Sequence, residues 1–432
     1  MTLNSQNVKD CIVKIVEKKI FVKDIFHDVH KAGGRILLVG GAVRDFFLQK
    51  ESADYDFEVY GLSIEELYNI LKKHGAVSLV GKSFGVLRLS TVDADFSLPR
   101  KDSSGRKPEV YIDENMSYAE AFRRRDLTIN AMGIDAVRYE LIDPFNGLID
   151  LQAGVLRSPN LSLFAEDPLR LFRVMQFAGR FNFSVDRALT DLCRTVDTNA
   201  VSRERVENEF AKLWLRSKKP SVGLRWLAAA GRTQEIFPEV DWSEKLYQVV
   251  DSTAQSRFDT EQNKLIFAWA SFFLHLKMVQ KVQINIHQPV DHSIVMEIEK
   301  SISEHLLPVD QKRAIVSLIV YVNRIPLLVE KGDQRDYKWL AWWIRKHSSL
   351  DHLYQLGQSL FDEEIVNKFF NAAESAGVLK SPEEPLVMGS DLVEHCQPGP
   401  ELGNLVAAAY QLQIEESIKD KKHLLQKIMM KK

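Results

Sequence analysis

The chain has 432 residues, enough for two or three packed domains and too many for one small module. Its apolar fraction of 45% and charged fraction of 27% are those of a soluble globular chain, which excludes collagen-like, disulfide-scaffold and bulk-disordered classes. Lys and Arg (57) nearly balance Asp and Glu (59), a net charge of -2, so any affinity for nucleic acid has to come from local basic faces.

In chain order, residues 6–32 carry the apolar spacing of one or two amphipathic helices, and Gly33-Gly34 ends them. The run Ile36-Leu37-Leu38-Val39 reads as a buried strand, and a helix is expected after Gly40-Gly41. Asp54 to Tyr60 alternates as a strand does. Ser63, with Glu66 at the capping-box offset, opens a helix reaching His74. Val77 to Val80 and Val86 to Val92 add strand signals, the second continuing through Leu98, and Pro99 to Asn115 reads as a polar, basic loop. The first 150 residues or so therefore form a mixed α/β unit. Beyond Leu161 helical spacing takes over, over 168–181, 203–215, 265–279 and 313–329, with a break near 240. The lysines of the C-terminal stretch, Lys419 to Lys432, read as a solvated helix end.

Three cysteines, Cys11, Cys193 and Cys396, are too scattered for a disulfide framework or structural zinc and fit a reducing compartment. With no basic-then-apolar leader and no run of about 18 apolar residues, a cytoplasmic protein without a membrane partner is expected. His27 and His30 share an i, i+3 spacing but have no companion ligands, so surface or packing roles are expected. Trp339, Trp342 and Trp343 sit at helical spacing, where packing is the usual fate.

Chemistry concentrates around Gly40-Gly41 and, twelve residues on, Asp54-Tyr55-Asp56. Alternation on a strand turns Asp54 and Asp56 to one side, where two hard carboxylates suit Mg²⁺ shared with substrate phosphates. An Asp-x-Asp alone is more often an exposed strand edge. The glycine turn before a helix offers free N–H groups to phosphate and shifts the reading to phosphoryl transfer.

Gly40-Gly41-Ala42-Val43-Arg44-Asp45 followed by Asp54-x-Asp56 resembles the opening motif of class II tRNA nucleotidyltransferases and bacterial poly(A) polymerases. Four further stretches resemble the remaining motifs of that family in order: Arg124 to Ala131, Asp143 to Leu151, Glu166-Asp167-Pro168-Leu169-Arg170 with Arg173, and Ser202 to Phe210. The resemblance implies an α+β fold: a nucleotidyltransferase α/β head with a mixed sheet over 1–160, a helical neck for base selection over 161–240, and an all-α body and tail for tRNA binding over 241–432. It implies addition of C, C and A from CTP and ATP to tRNA 3′ ends. The metal would be Mg²⁺ on Asp54 and Asp56.

Nucleotide contacts are expected from Gly40, Gly41, Arg44, Arg125, Asp126, Glu166, Asp167, Arg170 and Arg173, and a third catalytic carboxylate from Asp95. Arg44 either meets triphosphate oxygens or pairs with Asp45 or Glu51, and Asp95 is equally well a surface strand residue. Asp167-Pro168 is also an ordinary helix start, and Asp143-Pro144 with Asn146-Gly147 reads as mainly architectural. Cytosine and adenine present an amino donor beside a ring-nitrogen acceptor, so a carboxylate at 167 and a guanidinium at 170 accept them and leave groups unpaired against uracil and guanine.

The chain departs from the family pattern at Phe47-Leu48-Gln49, at Gln176 where arginine is common, and at His275-Leu276, where a second hydrolase site would need His-Asp. Met388 to Leu392 and Pro398 to Gly403 resemble the C-terminal segment of bacterial tRNA nucleotidyltransferases. The alternatives are enzymes adding only CC or only A, a poly(A) polymerase, and a non-catalytic RNA-binding protein. The resemblance bears on this choice: the family's counterpart of the loop over 99–115 is implicated in switching from C to A addition, and its presence here, long and basic with Arg100, Lys101, Arg106 and Lys107, leans toward completion of the triplet.

Overall fold

A computed structural model describes residues 12–13, 22–52, 54–80, 85–91, 94–102, 110–303, 308–393 and 399–430. Cys11, Cys396, Arg106, Lys107, Pro398, Lys431, Lys432 and most of the stretch before Val22 lie outside the described residues. The chain divides into two compact units, one formed by residues up to Leu213 with Val222–Arg232, the other by Trp214–Ser221 with Thr233 onward.

The first unit is built on a seven-stranded mixed sheet of order β3-β4-β5-β2-β1-β8-β9. Its strands are β1 (Arg35–Val39), β2 (Tyr55–Tyr60), β3 (Val77–Val80), β4 (Val86–Leu89), β5 (Ala94–Ser97), β8 (Gly133–Asp135) and β9 (Leu141–Ile142). The apolar run of β1 is buried because β1 is central, antiparallel to β2 on one side and to β8 on the other. The helix Val22–Lys31 turns Val22, Ile25, Phe26 and Val29 inward, and Phe26 meets Phe57, which stacks on Phe96 with centroids 5.2 Å apart. Ser63 and Glu66 close the expected capping box on Ile64–Lys72. This helix and the β3-β4 hairpin form the crossover that lets β2 and β5 run parallel, and their register brings Asp56 beside Asp95.

Two sequence readings change here. The strand expected over 86–98 is two antiparallel strands, β4 and β5, because Ser90 and Thr91 bond back to the carbonyls of Ala76 and His74 and turn the chain. The stretch expected as a loop from Pro99 to Asn115 contains a second small sheet, β6 (Arg100–Asp102) paired antiparallel with β7 (Val110–Ile112), and Lys101 donates to Glu120. The third motif is a brace. Asp143 accepts from the amides of Gly147 and Leu148 at 2.7 and 3.0 Å, and a Cβ on Gly147 would stand 2.2 Å from the Thr128 carbonyl oxygen, so only glycine fits. Past β9 the unit is helical, apart from a two-residue parallel pair, β10 (Val155–Leu156) with β11 (Ser184–Val185).

Among the described residues of the second unit the regular elements are helices, joined by turns and one isolated antiparallel bridge between Val240 and Leu276. Its core gathers Trp214, Phe237, Trp269, Phe272 and Phe273 in ring contact. The tryptophans pack: Trp342 lies between Tyr410, stacked at 3.8 Å, and the guanidinium of Arg345. The helix expected over 313–329 is broken into Val309–Tyr321 and Ile325–Lys331, since Pro326 has no N–H to continue the ladder. The helix expected over 265–279 ends at Phe273. His275 is buried and its pKa is pushed down to about 4 by burial, with Lys245 acting in the same sense. In the tail, Lys421 and Lys427 of the helix Lys421–Met430 pair with Asp391 and Glu416.

Candidate active site

Asp54 immediately precedes β2 and Asp56 is its second residue; both are exposed. The Asp56 carboxyl is raised above the ordinary carboxylate range by desolvation, opposed by Arg125 and reinforced by the negative charges of Asp95 and Asp54. Such a carboxyl gains from a cation. Asp95 stands beside Asp56 across the parallel pair, but Arg88 of β4 takes both of its oxygens, Nε at 2.7 Å and Nη2 at 3.2 Å. Among the described residues no group of three or more His, Cys, Asp and Glu side chains is placed to hold a metal. Two carboxylates plus phosphate oxygens fit a divalent cation that keeps part of its water, which Asp54 and Asp56 are placed to provide.

The glycine turn lies against two guanidinium groups. Gly40 adopts a φ of 74°, and a Cβ there would sit 2.9 Å from Arg125 Nη1; one on Gly41 would sit 3.4 Å from Arg44 Nη2. Side chains at either position would crowd these arginines. Arg44 has the alternative partner that the sequence allowed: it is 4% exposed, donates from Nε to Asp45 at 2.9 Å and from Nη1 to Asn130 Oδ1 at 2.5 Å, and lies over the rings of Phe177 and Phe181. Arg125 donates to the Asn130 carbonyl at 3.4 Å and faces Glu58 at 3.5 Å.

Asp126 is buried and accepts from Leu127 N, Asn130 Nδ2 and Arg173 Nε at 2.8, 2.9 and 2.7 Å. Burial pushes its carboxyl up, but Arg173 and these hydrogen bonds outweigh it and hold the group below its ordinary value. Arg173 belongs to the helix Leu169–Phe181, whose start is set by Asp167 accepting from Leu169 N at 3.2 Å. Asp167 and Arg170 sit at that start with different partners. Asp167 faces Arg205 Nη2 at 3.5 Å, while Arg170 donates to the carbonyls of Leu163 and Arg124 at 2.8 and 2.6 Å. Glu166 is exposed at the end of the helix Leu161–Ala165. Gln176 points inward, 2% exposed, and its Nε2 has no hydrogen-bond partner among the described residues.

Residue-by-residue reading of the sequence missed Glu58, Arg88 and Asn130. Glu58 is 1% exposed, accepts from the Tyr60 hydroxyl and faces both Arg124 and Arg125. The alternation that groups Asp54 with Asp56 also includes Glu58, so that signal was available. Arg88 becomes visible only once the strand over 86–98 is folded into a hairpin.

Residues 36–157 match the family model described as the poly A polymerase head domain. Over 215 residues the chain is 37% identical to the multifunctional CCA protein of Nitrosomonas europaea, covering 48% of this chain and 50% of that protein. The corresponding protein of Nitrosospira multiformis is 37% identical over 212 residues, 47% of this chain and 49% of the relative. The chain thus spans about half the length of the curated relatives it matches. The fold extends further. The Thermotoga maritima CCA-adding enzyme complexed with tRNA aligns over 98% of each chain at 18% identity with a TM-score of 0.64, and a CCA-adding enzyme with ATP aligns over the same share at 17% and 0.66. The resemblance read from the five motifs and the α+β architecture, a head with a mixed sheet followed by helices, are both borne out. No helix among the described residues is long and apolar enough to cross a membrane.

Proposed function

We propose that the chain adds C, C and A from CTP and ATP to tRNA 3′ ends without a nucleic-acid template, as a Mg²⁺-dependent nucleotidyltransferase that releases pyrophosphate. The observation that carries this reading is the crowding of Asp56 by Asp54 and Asp95 within reach of Arg125, which lies against the Gly40 turn. A carboxylate pair next to guanidinium groups suits a cation and a triphosphate together. The similarity to multifunctional CCA proteins supports the same reading.

Mg²⁺, when bound, would supply positive charge at the α-phosphate and favour the deprotonated RNA 3′-hydroxyl. Asp54 and Asp56 hold the cation. Arg125 and the bare backbone of Gly40 and Gly41 receive triphosphate oxygens, and Arg44 joins them by exchanging its Asp45 contact for phosphate while its Nη1 stays on Asn130. Asp167 offers only acceptors and Arg170 only donors, the complement of the pairing edges of cytosine and adenine. The two carbonyl bonds of Arg170 fix the plane of its guanidinium. In this reading residues 1–160 act as catalytic head, 161–240 as base-selecting neck and 241–432 as tRNA-binding body and tail, in the cytoplasm where tRNA matures.

The test uses purified protein, Mg²⁺ and three tRNAs ending before CCA, after C and after CC, with CTP, ATP or both, sizing products at single-nucleotide resolution. Extension of all three to CCA is the expected result. Arrest at CC, or extension of the CC-ended tRNA alone, would instead identify a partial enzyme. Long A tracts would identify a poly(A) polymerase, and no incorporation a binding protein.

A further inference from the structure

Asn130 is 6% exposed and bridges Arg44, beside the glycine turn, and Asp126, the partner of Arg173 on the helix Leu169–Phe181. Its Oδ1 accepts from Arg44 of the glycine-turn helix Gly41–Phe47, its Nδ2 donates to Asp126, and its carbonyl accepts from Arg125. Asp126 in turn receives Arg173, one helical turn beyond Arg170 on the helix that begins at the Asp167 start. That helix is tied a second time about two turns further on, where Arg180 reaches Asp45, the other partner of Arg44.

The chemistry of these contacts leaves little choice of side chain. Arg44 can only donate and ionised Asp126 can only accept, so the group between them has to accept on one side and donate on the other over the length of an amide. A carboxylate would satisfy Arg44 and repel Asp126; a methyl would leave two buried charged groups without this partner.

We propose that Asn130 is a positioning residue for base choice: its amide sets the distance between the triphosphate-binding arginines and the helix carrying Arg170 and Arg173. This rests on the proposed nucleotidyl transfer. In the free chain Arg44 holds the amide, and the amide holds Asp126 and through it Arg173. Weakening the link shifts Arg170 against the base while Asp54 and Asp56 stay in place.

The test measures kcat/KM for CTP and UTP separately on a tRNA lacking CCA, using the full chain. Asn130→Asp is expected to lower the CTP-to-UTP ratio by about tenfold, the scale of one lost buried hydrogen bond. Combining Asp126→Asn with Asn130→Asp re-creates a donor facing an acceptor and is expected to recover part of the ratio. Should Asn130→Asp not melt cooperatively, Asn130→Ser, whose hydroxyl can donate and accept but is too short to bridge, carries the same measurement. An equal fall for both nucleotides with an unchanged ratio overturns the inference, as does a double variant no better than the single. If the unmodified chain incorporates neither nucleotide, the proposed function itself falls and this inference with it.

Discussion

The two sides of the candidate active site treat charge in opposite ways. Along β2 and β5, Asp54 and Asp56 are exposed like charges, and Asp56 is raised in pKa by desolvation and by the carboxylates around it. Across the site, Arg44, Asp126 and Asn130 are buried and bound to one another, and Asp126 is lowered despite its burial. The first side leaves its like charges facing one another; the second pairs its charges internally. Under the proposed function, a site divided in this way keeps its reactive end responsive and its measuring end stiff.

The strongest way to break that contrast is Asp56→Ala. Loss of one carboxylate of a cation site is expected to reduce nucleotide incorporation by about a thousandfold, several kcal/mol of transition-state stabilisation, while without divalent cation the variant unfolds at a temperature no lower than the parent's, because the raised Asp56 carboxyl is a cost in the folded state. Arg173→Met should act strongly on stability. It leaves buried Asp126 with only its amide partners, and a loss of about 2 kcal/mol is expected by urea unfolding, below the range for a fully buried pair because Arg173 is partly exposed.

The two carboxyls should also separate by pH. Asp126, lowered in the folded state, contributes stability that is present above its unfolded pKa and lost as pH falls through the folded one. Asp56, raised, does the opposite: its penalty is full above the folded pKa and is relieved as pH falls through it. Without divalent cation, Asp56→Asn is therefore expected to be more stable than the parent at neutral pH. Added Mg²⁺ should raise the Tm of the parent more than that of the variant. The smallest effect is expected at Gln176→Met, which removes a buried donor that has no partner among the described residues and should stabilise by up to about 1 kcal/mol in the same unfolding measurement.

Much of this arrangement was legible because it is local. The capping box at Ser63, the β1 run and the start of the helix at Asp167 each depend on residues within a few positions of one another. What the sequence did not show depends on partners brought from afar. Arg88 and Asp95 are seven residues apart, but whether they meet depends on Ser90 and Thr91 bonding to another strand end. The helix over 313–329 breaks before Pro326 although its apolar periodicity runs unbroken through that residue. Arg44 met Asp45 as one of two readings, yet its second partner, Asn130, is 86 residues away and no spacing rule points to it.

The central position of β1 also has a consequence for synthesis. Its partner β2 follows within about twenty residues of chain, but the Gly133–Asp135 strand that covers its other edge leaves the ribosome about a hundred residues later, roughly 5–20 s at ordinary elongation rates. For that interval Ile36, Leu37, Leu38 and Val39 form an unpaired apolar edge, open to wrong strand pairing or to a chaperone. The nascent chain is therefore most vulnerable before residue 133 emerges, and slow translation ahead of that point should lower the yield of soluble protein.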